Sequence, residues 1–82
     1  MGNSVYIIPP KVKLTMIEII LNGAPRPLDG TLTVAAFLAI EGLAGKRLAV
    51  EKNGEIVPKS QHAAALIEAG DRLEIVVAVG GG

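Results

Sequence analysis

The chain has no cysteine and no tryptophan, and its aromatic side chains are limited to Tyr6 and Phe37. Without cysteine there can be no disulfide, no thiolate metal site and no cysteine nucleophile. With so few aromatics, the core has to be built from Val, Ile, Leu and Ala. Neither sign of charge dominates. Eight Lys/Arg face eight Asp/Glu, which leaves no basic footprint for nucleic acid or a membrane surface. Long apolar runs are missing as well: the longest uncharged stretch, residues 30–40, is far short of the roughly 20 residues of a bilayer span. No basic region opens the chain, and Pro9-Pro10 breaks the apolar run before it, so no secretory leader is expected. The start resembles a myristoylation motif but has Tyr6 where the motif needs Ser or Thr. These absences point to one small, soluble, cytoplasmic domain within the 82 residues.

The composition shifts at Met16. Before it, the strand-like run 5–8 is stopped by two prolines, which cannot continue a ladder. Residues 1–15 read as an extension, either appended or arising from an upstream start, and 16–82 as the domain. The competing reading makes 5–8 an extra edge strand. From Met16 onward the signals are regular. A strand over 16–21 alternates with Ile17, Ile19 and Leu21 on one face. Asn22-Gly23 is a hairpin signal, because both residues tolerate positive φ. A short strand over 25–28 carries two prolines and belongs at a sheet edge. Thr33 is the expected N-cap of a helix over 34–41 that Gly42 closes. A second hairpin joins 48–52 to 55–57 through Asn53-Gly54, and 72–79 is the longest strand. Residues 60–69 are ambiguous: their alanines and Ser60 favour a helix, while their length also allows a helical turn and a short extended piece.

This order, hairpin, helix, hairpin, connection and strand, predicts a two-layer α+β roll with one helix covering one sheet face. The crossover makes the strands it joins parallel. Ile19, Leu21, Val34, Leu38, Val50, Leu73 and Ile75 are the expected core. By the same alternation Val76 and Ala78 point outward, beside Ile20 on a central strand. Apolar side chains on a solvated sheet face suggest a docking surface.

Catalysis by the chain itself is not expected. His62 lies among alanines, the serines are Ser4 and Ser60, and Glu18, Glu51 and Glu74 fall on solvated strand faces. No catalytic or metal-ligating set assembles, and no glycine pattern forms a phosphate loop. The informative feature is Gly80-Gly81-Gly82, directly after the longest strand. One reading is a frayed tail. The other is a carboxylate, on Gly82, that must enter another enzyme's narrow active site and so follows residues without side chains. Adenylation would make that carboxylate reactive.

With these pieces in order, residues 16–82 resemble the β-grasp, ubiquitin-like group, and within it the ThiS family of thiamine-pathway sulfur carriers. The resemblance rests on Asn22-Gly23 after the first strand, Thr33-Val34 leading a helix with Phe37-Leu38, and the stretch Ala49 to Ser60. Gly70 to Val76 and the terminal glycines complete it. It implies a mixed sheet of four to five strands packed on one helix, with a flexible C-terminal Gly tail. For 60–69 it implies a short turn and a short extended piece. It also implies a protein substrate, not an enzyme, with no cofactor of its own. An E1-like adenylating enzyme would activate Gly82. A cysteine desulfurase or related donor would then supply sulfur, and thiazole synthase would consume the thiocarboxylate. Gly80 and Gly81 would thread the active site, and Val76, Ala78 and Ile20 would contact the activating enzyme. A molybdopterin-type sulfur carrier, a ubiquitin-like protein modifier and a plain interaction module share parts of this pattern.

Overall fold

The computed structural model describes residues 15–79. The run 5–8 and the glycine tail therefore lie outside the described residues. Strand β1 (Ile17–Leu21) turns through Asn22-Gly23 into β2 (Ala24–Leu28). A two-residue strand, β3 (Leu32–Thr33), leads into helix α1 (Val34–Ile40). Then come β4 (Leu48–Lys52), β5 (Glu55–Ile56), a 3₁₀ turn at Lys59–Gln61, β6 (Leu66–Ile67) and β7 (Arg72–Val77). The main sheet has the order β2-β1-β7-β4-β5, with β1 and β7 parallel and the other pairs antiparallel. This is the expected α+β roll, parallel pair included.

Both hairpin turns adopt the geometry their sequences predict. Asn22 and Asn53 have φ of 48° and 53°, and the glycines after them 85° and 86°. Paired positive φ is the type I′ condition, and its twist matches that of the flanking strands. Thr33 caps α1, its hydroxyl accepting from the Ala36 N–H at 3.1 Å.

The segment 60–69 departs from raw helix propensity, and the reason is tertiary. The carbonyls of His62 and Ala65 accept from Ala35 and Val34 at 2.8 and 2.9 Å, satisfying donors that the first turn of a helix leaves orphaned. A continuing helix would have used those carbonyls itself. The chain instead forms the 3₁₀ turn and then β6, which pairs with β3 as a second, two-stranded sheet.

The core is nearly as expected, with three additions. Ile19, Val34, Leu38, Val50, Leu73 and Ile75 are buried, joined by Leu28, Phe37 and Ile67. Leu21, expected inside, is only half-buried, because β1 ends there and the hairpin turns away. Phe37 is fully buried, and the Arg26 guanidinium lies 5.7 Å from its ring centre. Arg26 is on the inward-facing register of β2, opposite Ile19. It forms a bidentate ion pair with Glu41, the helix C-cap. This clamp ties the sheet edge to the end of the helix.

The hydrogen bonds from Arg26 hold the Glu41 carboxyl below its ordinary value of 4.5, against a smaller opposing effect of burial. A depressed acid stabilises the fold above its unfolded pKa, and the contribution is lost as pH falls through the lowered folded value. The melting temperature should therefore decline on acidification from near the ordinary carboxyl value downward. Glu41→Gln should remove part of that decline; identical acid profiles for the two proteins would show that the pair contributes nothing. Among the described residues no helix is long and apolar enough to cross a membrane.

Candidate functional site

β7 is the element that delivers the chain toward Gly80, and three devices hold it. The first is its pairing with β4 over five positions, from Lys52↔Leu73 to Leu48↔Val77. The second is the side chain of Asn22. β1 pairs with β7 only at Ile20↔Arg72 and Leu21↔Leu73 before it turns away. The backbone of Ile75 would then lack a partner on that side, and an unpaired polar group near the core is costly. Asn22 Oδ1 accepts from the Ile75 N–H at 2.8 Å, with a longer contact of 3.4 Å from Nδ2 to the Ile75 carbonyl. A side chain thus continues the ladder where the strand stops.

Asn53, on the opposite flank, is the third device. Its Oδ1 accepts from the Arg72 N–H at 2.9 Å, and its Nδ2 donates to Asp71 Oδ1 at 3.0 Å. The two Asn-Gly turns therefore make tight hairpins and also clamp one strand from both sides. The sequence announces the first role; nothing in one-dimensional spacing announces the second.

Among the described residues the ladder's last rung is the Ala78 N–H to the Arg47 carbonyl, at 2.9 Å. Beyond it Val79 is 97% exposed. The root of the tail is thus rigid up to Ala78 and free of the domain's surface by Val79.

On the outer sheet face Val76 is 67% exposed, and Ala78 is exposed too. The structure corrects the third member of the expected surface. Ile20 sits across from Arg72, not beside Val76. Four positions of β7 separate the two, about 13 Å at strand rise, with the exposed Arg72 and Glu74 on the same face between them. The parallel register, which alternation cannot supply, sets this offset. The cross-strand neighbour of Val76 is Ala49. The apolar patch at the tail root is therefore Val76, Ala78 and Ala49, bounded by Glu51 and Glu74, which lie opposite each other.

On the helix side of the tail root lies a second feature, absent from the sequence reading. A cleft there is lined by Leu38, Leu43 and Leu48 together with Lys46, Arg47, Lys59 and His62. His62 itself is structural. It is half-buried, with Nε2 3.0 Å from the Val57 carbonyl, and its own carbonyl caps α1. Among the described residues no group of three or more His, Asp or Glu side chains is placed to hold a metal.

Comparison with known proteins gives a consistent result. The ThiS family profile matches residues 19–82. Two curated relatives are named thiazole synthase. One, from Paramagnetospirillum magneticum (strain ATCC 700264 / AMB-1), is 42% identical over 66 residues. The other, from Magnetococcus marinus (strain ATCC BAA-1437 / JCM 17883 / MC-1), is 32% identical over 66 residues. Each match takes in 80% of this chain but 20% of the relative, so the chain spans about a fifth of the length of these proteins. Among solved structures, the crystal structure of the thiamine biosynthesis protein ThiS from Geobacter metallireducens superposes with a TM-score of 0.70 at 30% identity. That match covers 80% of this chain and 100% of the other. A solution structure of a thiamine biosynthesis protein from the same organism gives 0.68 at 30% identity, covering 80% and 88%.

Proposed function

Because the chain belongs to the ThiS family, we propose that it is a sulfur carrier of thiamine biosynthesis, working through the carboxylate of Gly82. In this reading the protein is a substrate, not an enzyme. An E1-like enzyme activates it: a carboxylate oxygen attacks the α-phosphate of ATP, pyrophosphate leaves, and an acyl adenylate forms. The terminal sulfur of a persulfide on a cysteine desulfurase or related donor then attacks the acyl carbon and AMP leaves. A thiol cleaves the resulting acyl disulfide, being oxidised to a disulfide as the thiocarboxylate is released. The resulting thiocarboxylate supplies the sulfur of the thiazole ring, through thiazole synthase. The two relatives named thiazole synthase, each containing a segment similar to this chain, favour that destination over other sulfur-carrier pathways.

The observation that carries the reading is the treatment of β7. Asn22 and Asn53 lock it from both flanks, the last backbone bond among the described residues is at Ala78, and three glycines follow Val79. A fixed root with a side-chain-free end suits delivery of a carboxylate into a narrow site. The test is to incubate the protein with an E1-like enzyme, ATP and sulfide and to weigh the intact chain. Replacement of one oxygen by sulfur at Gly82 is expected. A mass unchanged with every such enzyme tried, including one that thiolates an authentic ThiS, would remove the proposal.

The exposed patch at the tail root is, in the same reading, a contact for the activating enzyme. Val76→Asp should leave the melting temperature within about 4 °C, since exposed substitutions typically shift stability by less than about 0.5 kcal/mol. It should raise the KM for the carrier in adenylation severalfold. Equal KM values would assign the docking elsewhere. Ile20, displaced from the patch, should matter less than Val76.

The functional unit proposed is residues 16–82. β1 begins at Ile17 and the family match at residue 19. A chain starting at Met16 should fold and accept sulfur as the 82-residue chain does. A fall in melting temperature of more than about 5 °C, roughly 1 kcal/mol for a domain this size, would return residues 5–8 to the sheet.

A further inference from the structure

The cleft on the helix side of the tail root is a charge anomaly. Residues 16–82 carry six Lys/Arg against eight Asp/Glu, yet Lys46, Arg47 and Lys59 all line this one cleft, with His62 beside them and no carboxylate among the described residues of its wall. The other bases are engaged or distant. Arg26 is paired with Glu41 and Lys52 lies 4.0 Å from Asp71, while Arg72 starts β7 at its far end from the tail. None of the three cleft bases forms an ion pair with a described carboxylate, and all three are exposed. Uncompensated like charges held together destabilise an isolated domain slightly, so their clustering calls for an opposite charge from outside.

Resting on the sulfur-carrier reading, we propose that this cleft is the electrostatic dock for the enzyme that adenylates the tail. That enzyme presents a loop with carboxylates flanking one apolar side chain. Two observations select this occupant. Gly82 lies three residues beyond Val79, so the carboxylate reaches at most about 11 Å from Val79. Whatever receives it must lie over the tail root, where Arg47 holds the last rung. The less exposed part of the lining is mostly apolar, Leu38 being buried and Leu43 and Leu48 half-buried alongside His62, whereas Lys46, Arg47 and Lys59 are exposed. A mostly apolar lining with exposed charges is the layout of a protein contact; a small anion would want donors converging at the bottom. The cleft and the Val76 patch then grip the enzyme from opposite sides of β7.

Charge at an interface rim acts mainly on encounter, and so on KM and its salt dependence rather than on turnover. Arg47→Glu and Arg72→Glu change net charge equally, but only the first lies at the cleft. In ATP–pyrophosphate exchange at low salt with an E1-like enzyme that activates the 82-residue chain, Arg47→Glu should raise KM about 5- to 10-fold with kcat unchanged. Added salt should shrink the difference, and Arg72→Glu should stay within about twofold. Lys46→Glu and Lys59→Glu should follow Arg47→Glu, all with unchanged melting temperatures. Equal effects of Arg47→Glu and Arg72→Glu, or a KM untouched by Arg47→Glu, would overturn the dock while leaving the carrier reading standing. If no such enzyme activates the unmodified chain, the carrier reading fails and the dock falls with it. Amide resonances of Lys46, Leu48 and His62 that move with inorganic pyrophosphate alone, and not with the enzyme, would mark a small-anion site and also overturn it.

Discussion

Removing Gly82 is expected to abolish adenylation while leaving the unfolding midpoint where it was. The carboxylate would then sit on Gly81, drawn back by up to about 3.6 Å. An error of about 1 Å in the position of a reacting group can cost 100-fold in rate. The root cannot compensate, because Asn22, Asn53 and the Ala78–Arg47 bond fix β7 up to its last rung. Gly81→Val tests the other half of the argument. It leaves the length unchanged but adds a β-branched side chain that narrows the backbone's choices and widens the tail. Both variants should lose ATP–pyrophosphate exchange with an E1-like enzyme that activates the 82-residue chain, and both should lose thiocarboxylate by intact mass. Exchange at the normal rate after deletion of Gly82 would mean that the carboxylate's position does not matter, and the carrier reading would not survive it.

The largest effect on stability is expected at Phe37. Its side chain is fully buried at the centre of the layer between α1 and the sheet. Truncation to alanine removes the bulkiest group of a core otherwise made of Ile, Leu and Val. Such changes typically cost 3–5 kcal/mol, roughly, through lost transfer energy and the cavity left behind. Total stability for domains is about 5–15 kcal/mol, and a short chain falls toward the lower end. A second loss compounds the first. Arg26 rests 5.7 Å over the ring while it holds Glu41, so the clamp from sheet edge to helix end loses its support. The melting temperature should fall by roughly 15 °C or more, at about 4–8 °C per kcal/mol for this size. Thermal denaturation followed by circular dichroism reads it directly. A drop of less than about 5 °C would show that the neighbouring leucines close over the space.

Much of the architecture was legible because it depends on short-range rules. Asn22-Gly23 and Asn53-Gly54 specify turns through the φ values their residues tolerate. The alternation along β7 assigns its inner and outer faces, and Thr33 marks the helix start by its hydroxyl. Where a neighbour in space was needed, the reading ran out. β3 and β6 pair over two residues each, too few for periodicity to register. Phe37 is missing from the expected core because the i, i+4 pair Val34 and Leu38 marks only one line of the helix stripe. Ile20 and Val76 share the outer face as expected but not a neighbourhood, because alternation gives the face and not the register.

The glycine end and the motifs that carry the family resemblance are properties of the chain as written, and they were decided before any folding. Three things belong to the tertiary structure alone: the locking of β7 by two asparagine side chains, the Arg26–Glu41 clamp over Phe37, and the gathering of Lys46, Arg47 and Lys59 at the tail root. Asn22 and Ile75 are separated by 53 positions and meet at 2.8 Å. Arg26 and Glu41 are 15 apart, and Lys59 joins Lys46 only after the chain has crossed β4 and β5. The physical reason is one of range. A residue's backbone preference and face are set within a few neighbours along the chain, whereas a hydrogen bond, an ion pair or a cluster of charge is set by distance in space, which exists only once the sheet has chosen its register.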